Sequence, residues 1–310
     1  MKEKIKTFLA VCVLILTVPY IVTLLFQNGQ TSPDREKIRD VPGEESVPVL
    51  ETGDGELDVE EYLTGIIAKE IPLDYQSETI KAQAVIARTE LTAALATQEK
   101  ILPESMSREE MLELWGQDGF EENYRVLEAA VADTRGEILC YGKTPIHAAF
   151  HAVSAGKTRS AREALQREDE PYLECTDSGM DIPSPDFLKV VFLEKEEFMK
   201  KLKELCPEFE CIPEKILESV TVAERDSSDY VTKVAVGEQT ITGEEFRNHF
   251  KLNSSCFYLK EVENQVRIVT KGLGHGLGFS QYGANVLAKE GKEYKELLQY
   301  YYKDISIEKN

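Results

Sequence analysis

The first pattern along the chain is a long apolar run near its start. Ile5–Phe26 contains no charge except Lys6 at its edge, and Lys2 and Lys4 precede it. An apolar run of about 20 residues is what a helix needs to cross a bilayer, and flanking lysines favour the cytoplasmic side. The pattern predicts an uncleaved membrane anchor over residues 1–27, with the rest of the chain outside. A cleaved signal peptide is the alternative, although no small-residue cleavage site ends the run.

The next stretch, residues 28–57, is rich in Asp, Glu, Pro, Gly, Ser and Thr and has few large apolar side chains. This composition is typical of a flexible linker. From Asp58 onward the hydrophobic patterning is continuous, without a second linker or an internal repeat. We therefore expect one folded domain over residues 58–310.

Two helices are predicted at the start of this domain. The first begins at a capping-box pattern of Asp58 and Glu61, and its apolar positions recur at helical spacing: Val59, Tyr62, Leu63, Ile66 and Ile67. Glu70 continues this stripe just before Pro72, which ends the helix. Partial burial and the negative end of the helix dipole should both raise the pKa of Glu70. The second helix runs from an N-cap at Ser77 to about Thr97, with Gln83 and Arg88 flanking its apolar face.

The remaining pattern mixes helices with short strands. Helices are predicted over 104–130, 194–205, 281–290 and 293–302, with another after the capping-box pair Thr242 and Glu245. Strands are predicted over 137–141 and 145–153, which form a hairpin, and near 218–224, 230–236, 256–262 and 265–270. Strands and helices do not alternate as in β-α-β units, so the fold class is α+β: a helical segment packed with antiparallel hairpins.

Composition narrows the possible classes of protein. The hydrophobic fraction of 42% is sufficient for a packed core, and the formal net charge of −20 argues against binding DNA or RNA. Five of the six cysteines lie beyond the apolar run, which is an odd number. Cys206 and Cys211 could form a disulfide in an oxidising compartment. A reduced, buried set of thiols is the alternative.

Three segments carry candidate chemistry, and the first contains Glu70. A carboxyl group on a buried face, close to the amide of Gln83 and the guanidinium of Arg88, is suited to proton transfer. The alternative interpretation is a solvated glutamate at the end of a helix.

The second segment runs from His147 to Thr158. His147 and His151 would share one face of a strand but lie roughly 13 Å apart, at about 3.3 Å per residue. That separation is too large for one shared zinc ion. A polar strand face that lines a cleft or the surface is therefore favoured over a metal site.

The third segment, Gly272 to Ala284, has a glycine at every second position up to Gly278. In an extended conformation these glycines would leave one face of the backbone bare, so that a flat ligand such as a sugar ring could approach. A phosphate-binding loop is the alternative, but no Gly-Lys-Ser/Thr follows. Ser280 is predicted to cap the next helix. His275, Ser280 and Gln281 are predicted to line a cleft opposite Glu70.

With these segments in this order, the chain resembles the stage II sporulation protein D family, also called the amidase-enhancer family. The similarity extends from about Val59 to Asp304. It rests on the runs AQAVIART (82–89), TITGEEFRNHF (240–250) and GHGLGFSQYGA (274–284).

The resemblance implies a lytic transglycosylase that cuts peptidoglycan glycan strands after an amidase has removed their peptide stems. Glu70 would act as general acid and then as base, without a second carboxylate nucleophile. The predicted substrate-binding residues, from the family motifs and from the residue patterns together, are Gln83, Arg88, His151, Ser154, Gly274, His275, Gly276, Ser280, Gln281 and Tyr282. A catalytically weak wall-binding module that recruits or stimulates an amidase is the alternative.

Several positions depart from the family pattern. Ala155 and Leu273 replace a usual glycine and a common tryptophan, and Glu90 replaces a usual tyrosine. Some relatives carry a Cys/His zinc cluster before the hairpin, whereas residues 91–139 contain neither Cys nor His. We therefore expect a divergent paralogue with no metal and no cofactor.

Overall fold

A short hairpin opens the part of the chain that the structure, a computed structural model, describes: residues 49–52, 55–97 and 102–309. Strand β1 (Val49–Thr52) pairs antiparallel with β2 (Gly55–Asp58). The last residues of the predicted linker therefore form regular structure. The predicted anchor and most of the linker lie outside the described residues. None of the helices in the described residues is long and apolar enough to cross a membrane.

Three helices form the first packed unit of the domain. They are α1 (Val59–Glu70), α2 (Ser77–Ala96) and α3 (Arg108–Asp133), the last with a break at Gly116. The apolar stripe predicted for α1 is buried against α2 and α3 in one hydrophobic cluster. Helix α2 begins one residue earlier than predicted: its N-cap is Gln76, whose side chain makes no capping bond, and Ser77 is already helical.

The remaining elements are listed here in chain order. They are β3 (Glu137–Tyr141), β4 (Thr144–Pro145), β5 (Phe150–His151), α4 (Ala161–Ala164), β6 (Leu188–Glu194), α5 (Lys195–Leu205), α6 (Ile216–Ser219), β7 (Val220–Arg225), β8 (Val231–Val236), β9 (Gln239–Thr242), α7 (Gly243–Phe250), β10 (Phe257–Val262), β11 (Gln265–Lys271), β12 (Phe279–Ser280), α8 (Gln281–Lys289), α9 (Tyr294–Tyr301) and β13 (Ser306–Lys309), with short 3₁₀ turns at Gly179–Asp181 and Pro213–Lys215.

These strands form several small sheets, and the class is α+β as predicted. In the described residues the three-stranded sheets have the orders β13-β3-β4, β7-β8-β9 and β10-β11-β6. Helices α5 and α7 bury phenylalanines against the last two sheets. The Thr242–Glu245 capping box is present as predicted.

The predicted hairpin over 137–153 is wrong in its second strand. Strand β4 ends at Pro145, and the following residues Ile146, Ala148 and Ala149 are buried in the core. The chain returns to a sheet only at β5, which pairs in parallel with β12, so that His151 lies opposite Ser280. Small buried alanines break the alternation of a surface strand. The pairing brings the second and third motif segments side by side.

The five cysteines of the described residues, at positions 140, 175, 206, 211 and 256, are unpaired. Cys206 is buried at the end of α5, and the Sγ of Cys211 lies 3.4 Å from Ser219 Oγ. The structure therefore favours the reduced set over a Cys206–Cys211 disulfide.

Candidate active site

Glu70 is the last residue of α1, and two glutamines from other helices hold it. Gln83 on α2 donates from Nε2 to Glu70 Oε2 at 2.8 Å. Gln281, the first residue of α8, donates to the backbone oxygen of Glu70 at 2.8 Å and to Gln83 Oε1 at 3.2 Å. Because Gln281 occupies the oxygen of the Gln83 amide, its NH₂ group is the part that faces the carboxylate. Three predicted residues from separate helices are thus brought together. Gln83 and Gln281 are 0% and 3% exposed, so they hold Glu70 in place of the predicted contact with substrate.

The environment of Glu70 raises the pKa of its carboxyl group to a value near neutral pH. Burial raises its pKa to about 7, the hydrogen bond from Gln83 opposes this shift, and the negative charge of Glu90 adds to it. Glu90 lies on α2 and accepts a hydrogen bond from the backbone N–H of Ala148. The side chain of Glu70 is still partly exposed to solvent. A carboxyl group with these properties can both donate and accept a proton near neutral pH.

Ser154 and Ser280, both predicted to bind substrate, are fully buried instead. Both hydroxyl groups donate to the carboxylate of Asp181, at 2.5 Å and 2.8 Å, and Ser178 adds a third hydroxyl donor at 2.8 Å. The prediction is therefore corrected, because neither side chain can reach a ligand from the core. Ser280 also caps α8, as predicted, by accepting from Gly283 N–H.

Asp181 is a structural residue that the sequence analysis missed. It is completely buried, and burial raises the pKa of its carboxyl group while its serine partners oppose that shift. Its hydrogen bonds fasten the segment after β5 to the start of α8, one residue before Gln281. Asp181 therefore fixes the position of the glutamine that orients the Glu70 site. It lies on a 3₁₀ turn outside the recognised motifs, so no local pattern pointed to it.

The two predicted histidines form a pair, with ring centroids 5.8 Å apart. His151 donates from Nδ1 to the backbone oxygen of Leu277, and its Nε2 is buried without a partner. His275 Nδ1 accepts from the N–H of Leu277, so its Nε2 carries the proton. Burial lowers the pKa of His151 to about 4 and that of His275 to about 3, so both rings are neutral at pH 7.

The exposure of these side chains decides one of three predicted substrate contacts, that of His151, and does not test those of His275 and Tyr282. His151 is only 3% exposed, so a direct contact with substrate is contradicted. His275 and Tyr282 are partly exposed, and their substrate contacts remain predictions. In the described part of the chain neither imidazole forms a hydrogen bond with Glu70. The backbone N–H of Tyr282 donates to Ala152, which again joins the two motif segments.

The glycines of the third segment do not leave a bare strip for a sugar. Gly274 and Gly276 have φ values of 116° and 82°, outside the extended region, so the segment is coiled rather than a flat strand. A Cβ atom at Gly274 would lie 2.6 Å from the Cβ of His151, and one at Gly276 would lie 2.5 Å from the Tyr230 ring. The space beside each of these glycines is filled by the protein itself. Gly276 is buried, so its predicted substrate contact is corrected, whereas Gly274 is partly exposed and its substrate contact remains a prediction.

Arg88 also has a structural role in place of the predicted contact. Its guanidinium pairs with Glu60 at 2.9 Å and donates to the backbone oxygens of Val131, Thr134 and Glu137. Glu60 is ten residues before Glu70 on α1, a rise of about 15 Å. Arg88 therefore joins the far end of α1 to the end of α3, and it is not part of the Glu70 site.

A buried charged cluster around Arg159 was also missed. Arg159 pairs with Asp226 at 2.6 Å and Glu244 at 2.9 Å, and it donates to the backbone oxygen of His275. Its own backbone N–H donates to Gly276 at 2.7 Å. Glu244 lies in the TITGEEFRNHF run, so that run serves to anchor the glycine-rich segment.

No group of three or more Cys, His, Asp or Glu side chains within the described residues is arranged to hold a metal ion. The Nδ1 atom of His147 lies 3.1 Å from a carboxylate oxygen of Glu170. The expectation of a metal-free protein remains a prediction.

Comparison with known proteins places the chain in a family. A family model described as Stage II sporulation protein matches residues 54–141. Stage II sporulation protein D of Bacillus amyloliquefaciens is 31% identical over 99% of this chain and 96% of its own length. The chain therefore belongs to the stage II sporulation protein D family. The Bacillus subtilis stage II sporulation protein D is 29% identical over the same shares, and the amidase enhancer of that species is 23% identical over 77% of this chain and 39% of its own length.

Proposed function

We propose that this protein is a peptidoglycan lytic transglycosylase with Glu70 as its single acid and base. The observation that carries the proposal is the partly buried Glu70 carboxyl group, with a pKa of about 7 and its orientation set by Gln83 and Gln281. Membership of the stage II sporulation protein D family supports a role in sporulation and in cell-wall remodelling. The substrate would be glycan strands, preferably stripped of their peptide stems.

The reaction needs one group to act twice. Protonated Glu70 donates its proton to the glycosidic oxygen, which leaves with the bonding electron pair. The resulting carboxylate then removes a proton from the C6 hydroxyl of the same sugar, whose oxygen attacks C1 and closes a 1,6-anhydro ring. No water is consumed, unlike in the two-carboxylate glycosidases. Gln83 would keep the carboxyl oxygen pointed at the scissile bond throughout.

The pH dependence follows from the pKa of Glu70. We expect the cleavage rate to fall as pH rises through about 7, because Glu70 loses the proton that it must donate. Glu90→Gln removes a nearby negative charge, while its amide oxygen can still accept the hydrogen bond from Ala148. This variant should therefore move the alkaline midpoint to lower pH. A pH–rate profile of both proteins checks this, and an unchanged midpoint would contradict the electrostatic role of Glu90.

Gln281→Ala tests the orientation of the site. It removes both hydrogen bonds that tie α8 to Glu70 and Gln83, so the Gln83 amide can rotate away. We expect turnover to fall by about ten- to a hundredfold, since small misplacements of a reacting group have effects of this size. Steady-state kinetics measure the loss. Gln265→Ala, which removes a surface amide bonded to Glu194, is the matched control and should retain full turnover.

The second candidate is a catalytically weak module that binds glycan and recruits or stimulates an amidase. The similarity to the Bacillus subtilis amidase enhancer favours it. Incubating the purified chain with amidase-treated peptidoglycan separates the two. Anhydro-sugar ends support the transglycosylase, whereas binding without new ends, together with faster stem removal by an added amidase, supports the module.

We also propose that the domain acts outside the cytoplasm, held to the membrane by the apolar run Ile5–Phe26. The lysines before that run and its length support this topology. Protease added to intact, wall-stripped cells should remove the domain, and complete protection of the domain would contradict the proposal.

A further inference from the structure

Two N–H donors beside the glycine-rich segment have no acceptor among the described residues. The Nδ1 atom of His275 accepts from the N–H of Leu277, so Nε2 carries the proton and has no partner of its own. Arg247 on α7 donates from Nη1 to Glu244 at 3.0 Å, and its Nε is buried without a partner. The Arg247 side chain is 20% exposed and His275 is also partly exposed, so a ligand can reach both side chains.

Shared contacts place these two donors close together. Glu244 accepts from Arg247 through Oε2 and from Arg159 through Oε1, at 3.0 Å and 2.9 Å. Arg159 also donates to the backbone oxygen of His275 at 3.3 Å. Burial, the His151 ring and the positive charge of Arg247 lower the pKa of His275, as a nearby cation should. The imidazole therefore stays neutral, and the guanidinium supplies the charge.

The same segment leads from these donors to the Glu70 site. The His275 ring lies 5.8 Å from the ring of His151, which pairs with Ser280 across β5 and β12. Gln281 follows Ser280 directly and holds the backbone of Glu70. Only a few neighbouring residues therefore separate the donors from the acid, a span that a strand of several sugars can cover.

We propose that Arg247 and His275 form a subsite for the free carboxylate of a muramic acid lactyl group. An amidase hydrolyses the amide bond between that group and the peptide stem. Water adds OH to the carbonyl carbon and H to the nitrogen, which leaves with the stem, so a carboxylate remains on the sugar. A guanidinium binds a carboxylate strongly, with help from a neutral N–H donor, whereas the original amide carries no charge. The subsite therefore distinguishes stripped strands from intact ones. This inference rests on the proposal that glycan strands are the substrate.

The charges of the chain favour Arg247 as the group that meets this carboxylate. A net charge of −20 repels a strand with a carboxylate on every second sugar, so a local cation is needed beside the site. Arg159 cannot serve, because it is 3% exposed and bonded to both Asp226 and Glu244. Within the described residues Arg247 pairs with Glu244 alone and retains unbonded N–H groups.

Two forms of one glycan test the subsite without any change to its residues. Amidase-treated strands are immobilised either unchanged or with their lactyl carboxylates converted to methylamides. The full chain carries Glu70→Gln, so that the strands stay intact during the binding measurement. We expect the unchanged strands to bind at least about tenfold more tightly, since hydrogen bonds to charged groups have effects of this size. Equal affinity for the two forms would overturn the proposal.

Arg247→Gln, added to the same protein, should remove most of this difference. Its affinity for the unchanged strands should fall about tenfold, while its affinity for the methylamide strands stays that of the parent protein. Arg247→Lys keeps the charge but loses the planar fork, so it should restore part of the affinity. Arg162→Gln, which removes an arginine that is 80% exposed, is the matched control and should bind both forms as before. Equal losses on both forms in Arg247→Gln would overturn the role assigned to Arg247.

The outcome is separable from that of the proposed catalysis. Added salt should weaken the binding of unchanged strands to the parent protein and leave Arg247→Gln nearly unaffected. A wild-type chain that discriminates between the two forms but releases no anhydro ends would contradict the transglycosylase and support the subsite. A wild-type chain that releases such ends and binds both forms equally would contradict the subsite alone.

Discussion

Glu70→Gln is expected to lower the rate of glycan cleavage by at least about a thousandfold, to the limit of detection. The amide preserves the shape of the side chain and can still meet Gln83, but it can neither donate a proton to the leaving oxygen nor take one from the C6 hydroxyl. General acid–base groups typically contribute factors of about 10²–10⁴, and Glu70 would supply both steps. Glycan binding should persist. Turnover and binding are measured on the same preparation with amidase-treated peptidoglycan.

The control for this variant is Glu61→Gln on the same helix, whose side chain is 47% exposed. It should retain wild-type turnover. Loss of folding is excluded by a stability measurement with a defined sign. Burial raises the pKa of Glu70, so the ionised carboxylate destabilises the folded state once the pH exceeds the ordinary value of 4.5. Glu70→Gln should therefore be as stable as wild type at pH 4 and more stable at pH 8. A variant that is inactive and also unfolded at both pH values would not support the catalytic role.

Arg159→Gln is expected to have the largest effect on stability. Arg159 and Asp226 are 3% and 1% exposed, and Glu244 shares the same guanidinium. Removing one partner of a buried ion pair costs about 3–5 kcal/mol, because the other charge remains buried without compensation. The free energy of unfolding, measured by urea denaturation, should fall by that amount. The glycine-rich segment should also loosen, because Arg159 holds the His275 carbonyl.

The matched control is Arg162→Gln, three residues along the chain. Its side chain is 80% exposed and lies 3.7 Å from the equally exposed Glu168. Exposed pairs of this kind contribute little to stability, about 0–1 kcal/mol. Equal losses from the two variants would show that the buried cluster has no special role.

The sequence predicted helix α1 well because its information is local. The stripe on α1, the position of Glu70 and the stop at Pro72 all follow from helical periodicity and chain chemistry, and α1 ends at Glu70 as expected. The same holds for α5, α7 and the β7–β8 and β10–β11 pairs, whose hydrophobic periods are clear. Strand β6 was missed, although its residues LKVVFLE are rich in Val, Leu and Phe, and most of them are exposed.

The motif residues show why a site is harder to predict than a helix. Ser154, Ser280 and Arg88 stand out in the sequence, yet each one is buried and bonds a partner distant in the chain: Asp181 for the serines and Glu60 for the arginine. A polar residue in a motif can therefore support the site from within the core without touching substrate. Gln281 differs because it reaches both Glu70 and Gln83. Only the tertiary structure separates these two cases.

The glycine-rich segment was assigned to a ligand for a similar reason. Alternate glycines do permit close approach, but the approaching groups are His151 and Tyr230 of the same chain. The spacing of the glycines shows that the backbone must be free of side chains there, but it does not identify the group that fills the space. Positive φ values, which decide between a flat strip and a coil, are likewise a property of the folded chain.

The most direct measurement is the chemical form of the sugar ends released from amidase-treated peptidoglycan by the purified wild-type chain and by Glu70→Gln, analysed side by side by mass spectrometry. If Glu70 acts as acid and base in a lytic transglycosylase, the wild-type products should end in 1,6-anhydro sugars. These ends are lighter than the hydrolysed form by one water, about 18 mass units. Glu70→Gln should give none. Reducing ends from the wild type, or anhydro ends from Glu70→Gln at the wild-type rate, would contradict the proposed function.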